Sequence, residues 1–569
     1  MPSPRTAGRY SPSSSRSPRR VRCRRRSTRS RPRSRPACTT SSSRTQRPIR
    51  RPSTSTSTAR SSASTPRAPT AGAGPTRARR RTRRWSSAAP RASSSARARS
   101  GSSRPASAAR PSSGRSHRVE HGDFRDKSYW LTTRAYEPGP PLPGDRTVDV
   151  AIVGGGYTGL STALEIRRAR PDLSVAVLEA EVVGFGASGR NGGFAMTLFG
   201  LDLAVTAARF GDARAAEAHR HMRSAVDAVG ELVGRERIDC DYTRGGLLVV
   251  GFTRAHVERL ESEVEHFHRL GFGDIELWDG ARVRAAVDSP RYLGAKHDPF
   301  CAVLNPAKLC WGLRDAAVRA GATVYERTPV AEVRLREDPI RVVTPHGTVR
   351  AGKLVLATNA FSRWLPALHR KAAPVFTYVV MTEPLDTTRL GPIGWKGRQG
   401  IEDARNLVHY YRLTADDRLV MGGGAVNYFR GGLPGADLDE RIHADLEAHA
   451  RWLFPSLEGV RFTHRWGGPV SVPLDMAPAL GTLGDGGRVF YSLGCVGHGV
   501  SLSIKNGEVL RDLVLGEESD LTRLFFVNRR VVPFPPEPLR WVLAHAIRDG
   551  LVLHDRWAER GVRQGPGTG

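Results

Sequence analysis

The 569-residue sequence predicts an α/β protein: a parallel sheet, a second lobe built on an antiparallel sheet, and a disordered tail ahead of both. Three observations predict it. The apolar run Val148-Asp149-Val150-Ala151-Ile152-Val153 opens at once into Gly154-Gly155-Gly156-Tyr157-Thr158-Gly159. Residues 375–425 carry several short β-branched and aromatic runs, the pattern of antiparallel strands. Residues 1–118 hold 32 arginines and no lysine, aspartate or glutamate.

The tail comes first in the chain and accounts for the charge. The formal net charge is +33, yet the 451 residues after position 118 carry 56 basic and 55 acidic side chains, a net of +1. Arginine, serine, proline, threonine and alanine with almost no apolar side chains cannot bury enough surface to offset the entropy of ordering, so residues 1–120 are expected to be disordered. Three readings of the tail stand: an arm that binds polyanions by counterion release, a targeting segment, and a stretch that is not natural protein. The targeting reading lacks an apolar core for a secretory signal and a helical period for a transit peptide. The third reading rests on the monotony that GC-rich DNA yields when read from a start codon placed too far upstream. The near-neutral remainder makes nucleic acid an unexpected partner for the protein as a whole.

The next element is a strand–turn–helix unit with a physical task for each glycine. Gly154 permits the tight turn, Gly156 lets backbone approach a pyrophosphate, and Gly159 lets the helix pack close to the strand. The helix from Tyr157 and Thr158 onward then points free N–H groups at the phosphates. A second strand, Ser174 to Leu178, ends in Glu179, placed to accept hydrogen bonds from a ribose diol. The loop Gly184 to Gly193 follows, with five glycines interleaved among Ala187, Ser188, Arg190 and Asn191, and reads as a close backbone approach to a ligand.

Residues 203–235 have helical periodicity, Gly246 to Gly251 reads as a strand, and His256 to Leu270 as an amphipathic helix. Asn305-Pro306 starts a helix that runs to Ala320. Short strands follow at Val324 to Glu326, Ala331 to Leu335 and Thr348 to Arg350, then a buried strand from Leu354 into Ala357-Thr358-Asn359-Ala360. In the second lobe, period-two alternation puts Tyr410 and Arg412 on one face, opposite His409 and Tyr411. Asp437 to Phe454 is helical. The strand Val489 to Ser492 enters a glycine-rich turn, Gly494 to Gly499, and a helix from Ser501 to Leu515.

Six cysteines show no C-x-x-C and no regular spacing, so neither a disulfide framework nor a metal site is expected, and a reducing cytosol is the expected compartment. No run approaches about 18 apolar residues, so no membrane span is expected.

Taken together, these motifs resemble the FAD-dependent amine and amino-acid oxidoreductases of the D-amino-acid oxidase superfamily, nearest the gamma-glutamylputrescine oxidase type. The resemblance runs in order through Ser128-Tyr129-Trp130-Leu131, Gly154–Gly159 with Glu179, Gly186–Gly193, Ala357–Ala360, Thr382–Leu385, Arg465–Gly468 and Gly494-x-x-Gly497-His498-Gly499. It implies a Rossmann-type FAD-binding domain drawn from residues 121–240, 301–370 and 466–520. It also implies a substrate domain from 241–300 and 371–465, and a C-terminal helical extension over 521–569. The implied FAD contacts are Gly154, Gly156, Tyr157, Thr158, Gly159, Glu179, Ala187, Ser188, Arg190, Asn191, Gly192, Val330, Ala357, Gly497, His498 and Gly499.

His498, Tyr410 and Trp466 are the catalytic candidates, and for each of them ordinary packing or a structural hydrogen bond is the competing reading. Cys495 reads as a packed cysteine, and Lys308 and Lys505 as solvated helix positions before they read as oxygen-activating groups. The implied chemistry is hydride removal from a carbon bearing an unprotonated amine onto flavin N5, with imine hydrolysis and reoxidation by oxygen or another electron acceptor. A nicotinamide dehydrogenase is the rival reading of the first motif alone, because it leaves both later glycine loops unexplained.

Overall fold

The computed structural model describes residues 123–430, 436–484 and 486–560. The tail assigned to residues 1–120 lies outside them. At the centre of the first sheet the strand Arg146–Val153 pairs in parallel with Val175–Leu178 on one side and Gly347–Leu356 on the other. Thr323–Tyr325 extends the parallel set beyond Val175–Leu178. The ten-residue strand Gly347–Leu356 divides its free edge. Its first half pairs antiparallel with Ile340–Thr344 and its second half pairs parallel with Val489–Leu493. Ala479–Leu483 closes the edge.

The central strand is apolar on both faces because both faces are covered. Val150 and Ile152 pack with Leu160, Trp311 and Val509 of the helices Tyr157–Ala169, Pro306–Arg319 and Gly499–Leu515. Ala151 and Val153 pack with Ile340, Val342 and Leu368 on the opposite side. The strands predicted at Thr348–Arg350 and Leu354 onward are one continuous element, since Ala351, Gly352 and Lys353 stay paired with Val148, Val150 and their neighbours.

The second sheet has eight strands. In order they are Phe462–Val472, Ala373–Thr382, Leu419–Gly423, His409–Leu413, Gly400–Asp403, Leu247–Gly251, Gly294–Asp298 and Glu276–Asp279. All neighbours are antiparallel except Gly400–Asp403 on Leu247–Gly251. Phe462–Val472 pairs with Ala373–Thr382 along its whole length, so the expected boundary at 465/466 falls inside a strand. The helix expected over 203–235 is broken at Gly211 into Leu203–Phe210 and Asp212–Glu236.

The alternation expected along His409–Leu413 is present. Tyr411 packs with Tyr292 and Phe454 under the helix Glu440–Leu453, while Tyr410 and Arg412 face the first sheet's loops. Among the described residues no helix is long and apolar enough to cross a membrane.

Candidate functional site

A cavity of about 680 Å³ opens at the carboxyl ends of the parallel strands, where Val153, Leu178 and Ala357 form its floor. This is where open α/β sheets place ligands, and the volume lies in the ordinary range for a small-molecule site. Its wall runs from Glu179 and Val330 past Gly154, Gly156, Tyr157 and Thr158 to Ala187, Ser188 and Asn191, and ends at Gly497 and Gly499.

The first glycine turn is built by backbone contact. Gly154 has φ +113°, and a Cβ there would fall 2.5 Å from the carbonyl oxygen of Ala357. A Cβ on Gly159 would lie 2.0 Å from the carbonyl oxygen of Gly154, so this glycine sits behind the wall and sets the helix against the strand. Gly155 N–H donates to Glu179 Oε2 at 2.6 Å, and Glu181 N–H donates to Oε1 at 3.0 Å. Burial, reinforced by the charge of Glu326, pushes the Glu179 carboxyl up to about 7 against those two donors.

The second loop is tied to the first. Ser188 Oγ accepts from Tyr157 N–H at 3.0 Å, satisfying one of the free donors at the helix start. Asn191 folds its amide back onto the carbonyls of Ala187 and Ser188 and accepts from Gly193 N–H at 2.8 Å. These bonds hold the loop's backbone toward the cavity.

The Arg190 side chain stands apart from the other implied contacts. Its guanidinium is buried and spent on Phe185 O at 2.7 Å, Asp437 Oδ1 at 2.8 Å and Gly467 O at 3.3 Å, and it does not line the cavity. Gly192 stands outside the wall as well. Its carbonyl accepts from Arg412 Nε at 2.7 Å, and a Cβ on it would meet the Tyr410 ring at 2.8 Å. Arg412 also donates to the carbonyl oxygen of Leu304 at 2.6 Å and lies over the Trp130 ring, and burial pushes its guanidinium down to about 9.

The late loop enters the helix Gly499–Leu515 through Gly497 at φ +86°, with His498 as the residue before the first turn. Gly497 and Gly499 line the cavity, and His498 stands behind them. Its Nδ1 lies 3.1 Å from Gly200 O, a group that only accepts, so Nδ1 carries the proton and Nε2 offers a lone pair. Burial pushes this imidazole down to about 4, so it is neutral at physiological pH.

Two of the three catalytic candidates have structural duties. Trp466 is buried, donates its indole N–H to Arg190 O at 2.8 Å and is not in the wall. Tyr410 stands edge-on to Phe194 at 5.7 Å over Gly192, behind the wall, and burial keeps its phenol protonated. Lys308 pairs with Asp241 and Lys505 with Glu508. Cys495 lines the cavity with a protonated thiol, pushed up by burial, 3.7 Å from Asn359 Oδ1.

Sequence reasoning missed Asn506. It is buried in the helix Gly499–Leu515, donates to Ser492 Oγ at 3.1 Å, and leaves its Oδ1 without a partner at the cavity. Its position one turn after Leu502 and three residues before Val509, on the apolar face, was the available signal.

Asp403, His409 and His449 bring ligand-type atoms within 4.8 Å of one another. Arg405 NH1 lies 3.1, 3.2 and 3.4 Å from them, so a cation of the chain already fills the space.

The residues present fit FAD. Two helix starts converge on one elongated cavity, glycines without Cβ atoms clear the backbone approach, an acid ends the second strand, and Asn506 Oδ1 lacks a partner. Comparison with known proteins gives the same result. Residues 149–513 match the family described as DAO, FAD dependent oxidoreductase. The chain is 34% identical over 409 residues to gamma-glutamylputrescine oxidoreductase of Escherichia coli strain K12, covering 72% of this chain and 92% of the relative. It is 29% identical over 402 residues to a probable oxidoreductase, OrdL, of Haemophilus influenzae, covering 70% and 90%. The fold matches the crystal structure of glycine oxidase from Geobacillus kaustophilus with a TM-score of 0.57 at 22% identity, over 68% of this chain and 99% of that one. The chain therefore belongs to the DAO family of FAD-dependent oxidoreductases, with FAD as its cofactor.

Proposed function

We propose that this protein oxidises a primary or secondary amine, or an amino acid, at the carbon bearing the nitrogen, and that oxygen takes the electrons and becomes hydrogen peroxide. The observation that carries the reading is the single cavity shared by both glycine loops and by the helix Gly499–Leu515. When bound, FAD supplies the hydride acceptor for the C–H bond. Glu179 and the Gly154–Gly159 turn hold the adenosine and pyrophosphate, with Val330 against the adenine. The Ala187–Asn191 loop and Gly497–Gly499 position the ring end.

The first sheet with its helices is the cofactor layer in this reading, and the second sheet, facing it through Tyr410 and Arg412, is the substrate layer. The protein's own work is to orient the C–H bond, hold the nitrogen in its unprotonated form and exclude water. The imine product then hydrolyses to a carbonyl compound and ammonia or a shorter amine. The likeness to the E. coli gamma-glutamylputrescine oxidoreductase supports an amine substrate.

The test is the purified protein under argon with a panel of amines and amino acids. A yellow protein bleached by at least one of them, with peroxide formed when air returns, supports the reading. A folded protein from which no flavin can be extracted, or one that no amine or amino acid bleaches, overturns it. Bleaching without peroxide removes oxygen as the acceptor.

A further inference from the structure

Glu402 is a buried acid with no cation of its own. It lies in the strand Gly400–Asp403, is 6% exposed, and accepts no hydrogen bond from the described residues. Each charged or titratable neighbour is committed elsewhere. Asp403, next in the strand, is held by Arg405 at 3.1 Å and His409 at 2.9 Å. Lys296, two strands away, pairs with Glu263. Cys301 is a buried thiol held protonated, and Tyr410 is a buried phenol held protonated. His498 is neutral, with Nε2 4.0 Å from Glu402 Oε1. An ionised carboxylate placed this way is costly until a cation arrives.

Its position says which cation. Glu402 is the direct cross-strand partner of Tyr410, so both side chains leave the sheet on one face. Tyr410 covers Gly192, next to the wall residue Asn191, and Glu402 itself approaches His498, between the wall residues Gly497 and Gly499. Glu402 is not itself in the wall; its carboxylate stands on the sheet face that meets both loops assigned above to the ring end of the cofactor. Among the described residues, those lining the cavity include no lysine, arginine or histidine that could receive a carboxylate.

We propose that Glu402 is the amine-binding group of the active site: it receives the substrate as an ammonium ion, takes its proton, and selects amines that lack a carboxylate beside the reacting carbon. The inference rests on the oxidase reading above. One N–H bond of the ammonium breaks and the proton forms an O–H bond on Glu402, while the electron pair stays on nitrogen. The C–H bond then breaks with its electron pair passing as hydride to FAD, and the nitrogen lone pair forms the C=N bond. Burial first, with the charge of Asp403, pushes the Glu402 carboxyl up to about 7, suiting a group that is ionised to bind a cation and retains the proton afterwards.

The experiment uses the flavin-loaded protein with butylamine, putrescine, glycine, D-alanine and proline, following anaerobic flavin bleaching from pH 5.5 to 9. The wild type should bleach with the two amines at least 100-fold faster than with the three amino acids. Its kcat/KM should fall below an apparent pKa near 7. Glu402→Gln should keep its flavin, lose about 10²–10⁴-fold in kcat/KM, and lose the acid limb. Glu402→Asp should restore part of both.

Glu402→Gln with wild-type kcat/KM and an unchanged limb overturns the role of Glu402 and leaves the oxidase reading standing. Amino acids preferred over amines overturn the selectivity. A wild type that none of the five bleaches, but that another amine does, overturns it as well. A wild type that no amine or amino acid bleaches sinks the oxidase reading itself. If Glu402→Gln proves insoluble, tert-butylamine, a cation with no hydrogen on its α-carbon, should perturb the wild-type flavin spectrum above pH 7 and at least tenfold more weakly below pH 6. Equal binding at both pH values overturns the proposal.

Discussion

At the residue scale, buried ionisable groups set the response to pH. Glu402 holds its proton more tightly folded, at about 7, than its ordinary 4.5, so its contribution to stability falls as pH rises from 4.5 to 7 and is then constant. His498 holds its proton less tightly folded, at about 4 against 6.5, so stability falls as pH drops from 6.5 to 4. Glu402→Gln is therefore expected to melt about 1–3 °C higher than wild type at pH 8.5 and at the same temperature at pH 5, checked by thermal unfolding. Glu179→Ala removes the acceptor for two loop N–H groups. It should weaken FAD retention about tenfold or more, read from flavin released on dilution. Unchanged retention would remove Glu179 from the cofactor site. The sequence exposed Glu179 because a fixed spacing follows the glycine turn. Glu402 was invisible, since no local pattern tells that Asp403 is claimed by Arg405 and Glu402 by no cation among the described residues.

At the element scale, the helices Tyr157–Ala169 and Gly499–Leu515 are set side by side by missing side chains. A Cβ on Gly507 would fall 2.2 Å from Ser161 Oγ, and one on Gly159 would fall 2.0 Å from Gly154 O. Gly159→Ala has to move the helix start off the strand. The expected result is a protein that purifies with little or no flavin and melts several degrees lower, while a yellow Gly159→Ala protein of wild-type stability would show that the contact yields cheaply. The parallel strands and their helices were legible because apolar runs and glycine turns are local. Several strands were not, among them Gly294–Asp298, Glu276–Asp279, Ile340–Thr344, Gly400–Asp403, Ala479–Leu483 and Phe462–Val472. Gly294-Ala-Lys-His-Asp has no β-branched residue, and Phe462–Val472 contains Gly467, Gly468 and Pro469, which read as a turn until a ten-residue partner strand supplies the pairing. The place of the Arg190 side chain was hidden for a related reason. A basic residue in a cofactor loop looks like a ligand contact until Asp437, 247 positions away, claims it.

At the scale of the whole molecule, the C-terminal helix Leu539–Ala558 braces the second sheet. Its buried residues are Arg540 and Asp555, while Leu539, Val542, Leu553 and Trp557 are exposed. Asp555 accepts from the N–H groups of Asn406 and Leu407, and Glu559 accepts from Arg405 Nε at 2.5 Å. Arg405 in turn fixes Asp403 and His409 at the start of the strand that carries Tyr410. A chain ended after Pro538 should keep its flavin, lose thermal stability, and lose kcat/KM for amines, with the loop 403–409 becoming the first segment to exchange its amide hydrogens. Unchanged exchange in that loop would count against the bracing role.

The manner of attachment has a consequence for how the molecule comes apart. A helix fastened by a few buried carboxylates, with its larger apolar side chains turned outward, does not share the hydrophobic driving force that holds the two sheets. On warming, these few polar fasteners give way while the central strands stay packed, so the protein should shed this helix as a separate early step. Trypsin a few degrees below the main melting transition should then cut first at Arg529, Arg530 or Arg540 and leave a yellow, folded body, whereas simultaneous loss of colour and of the helix would mean that the two come apart as one unit.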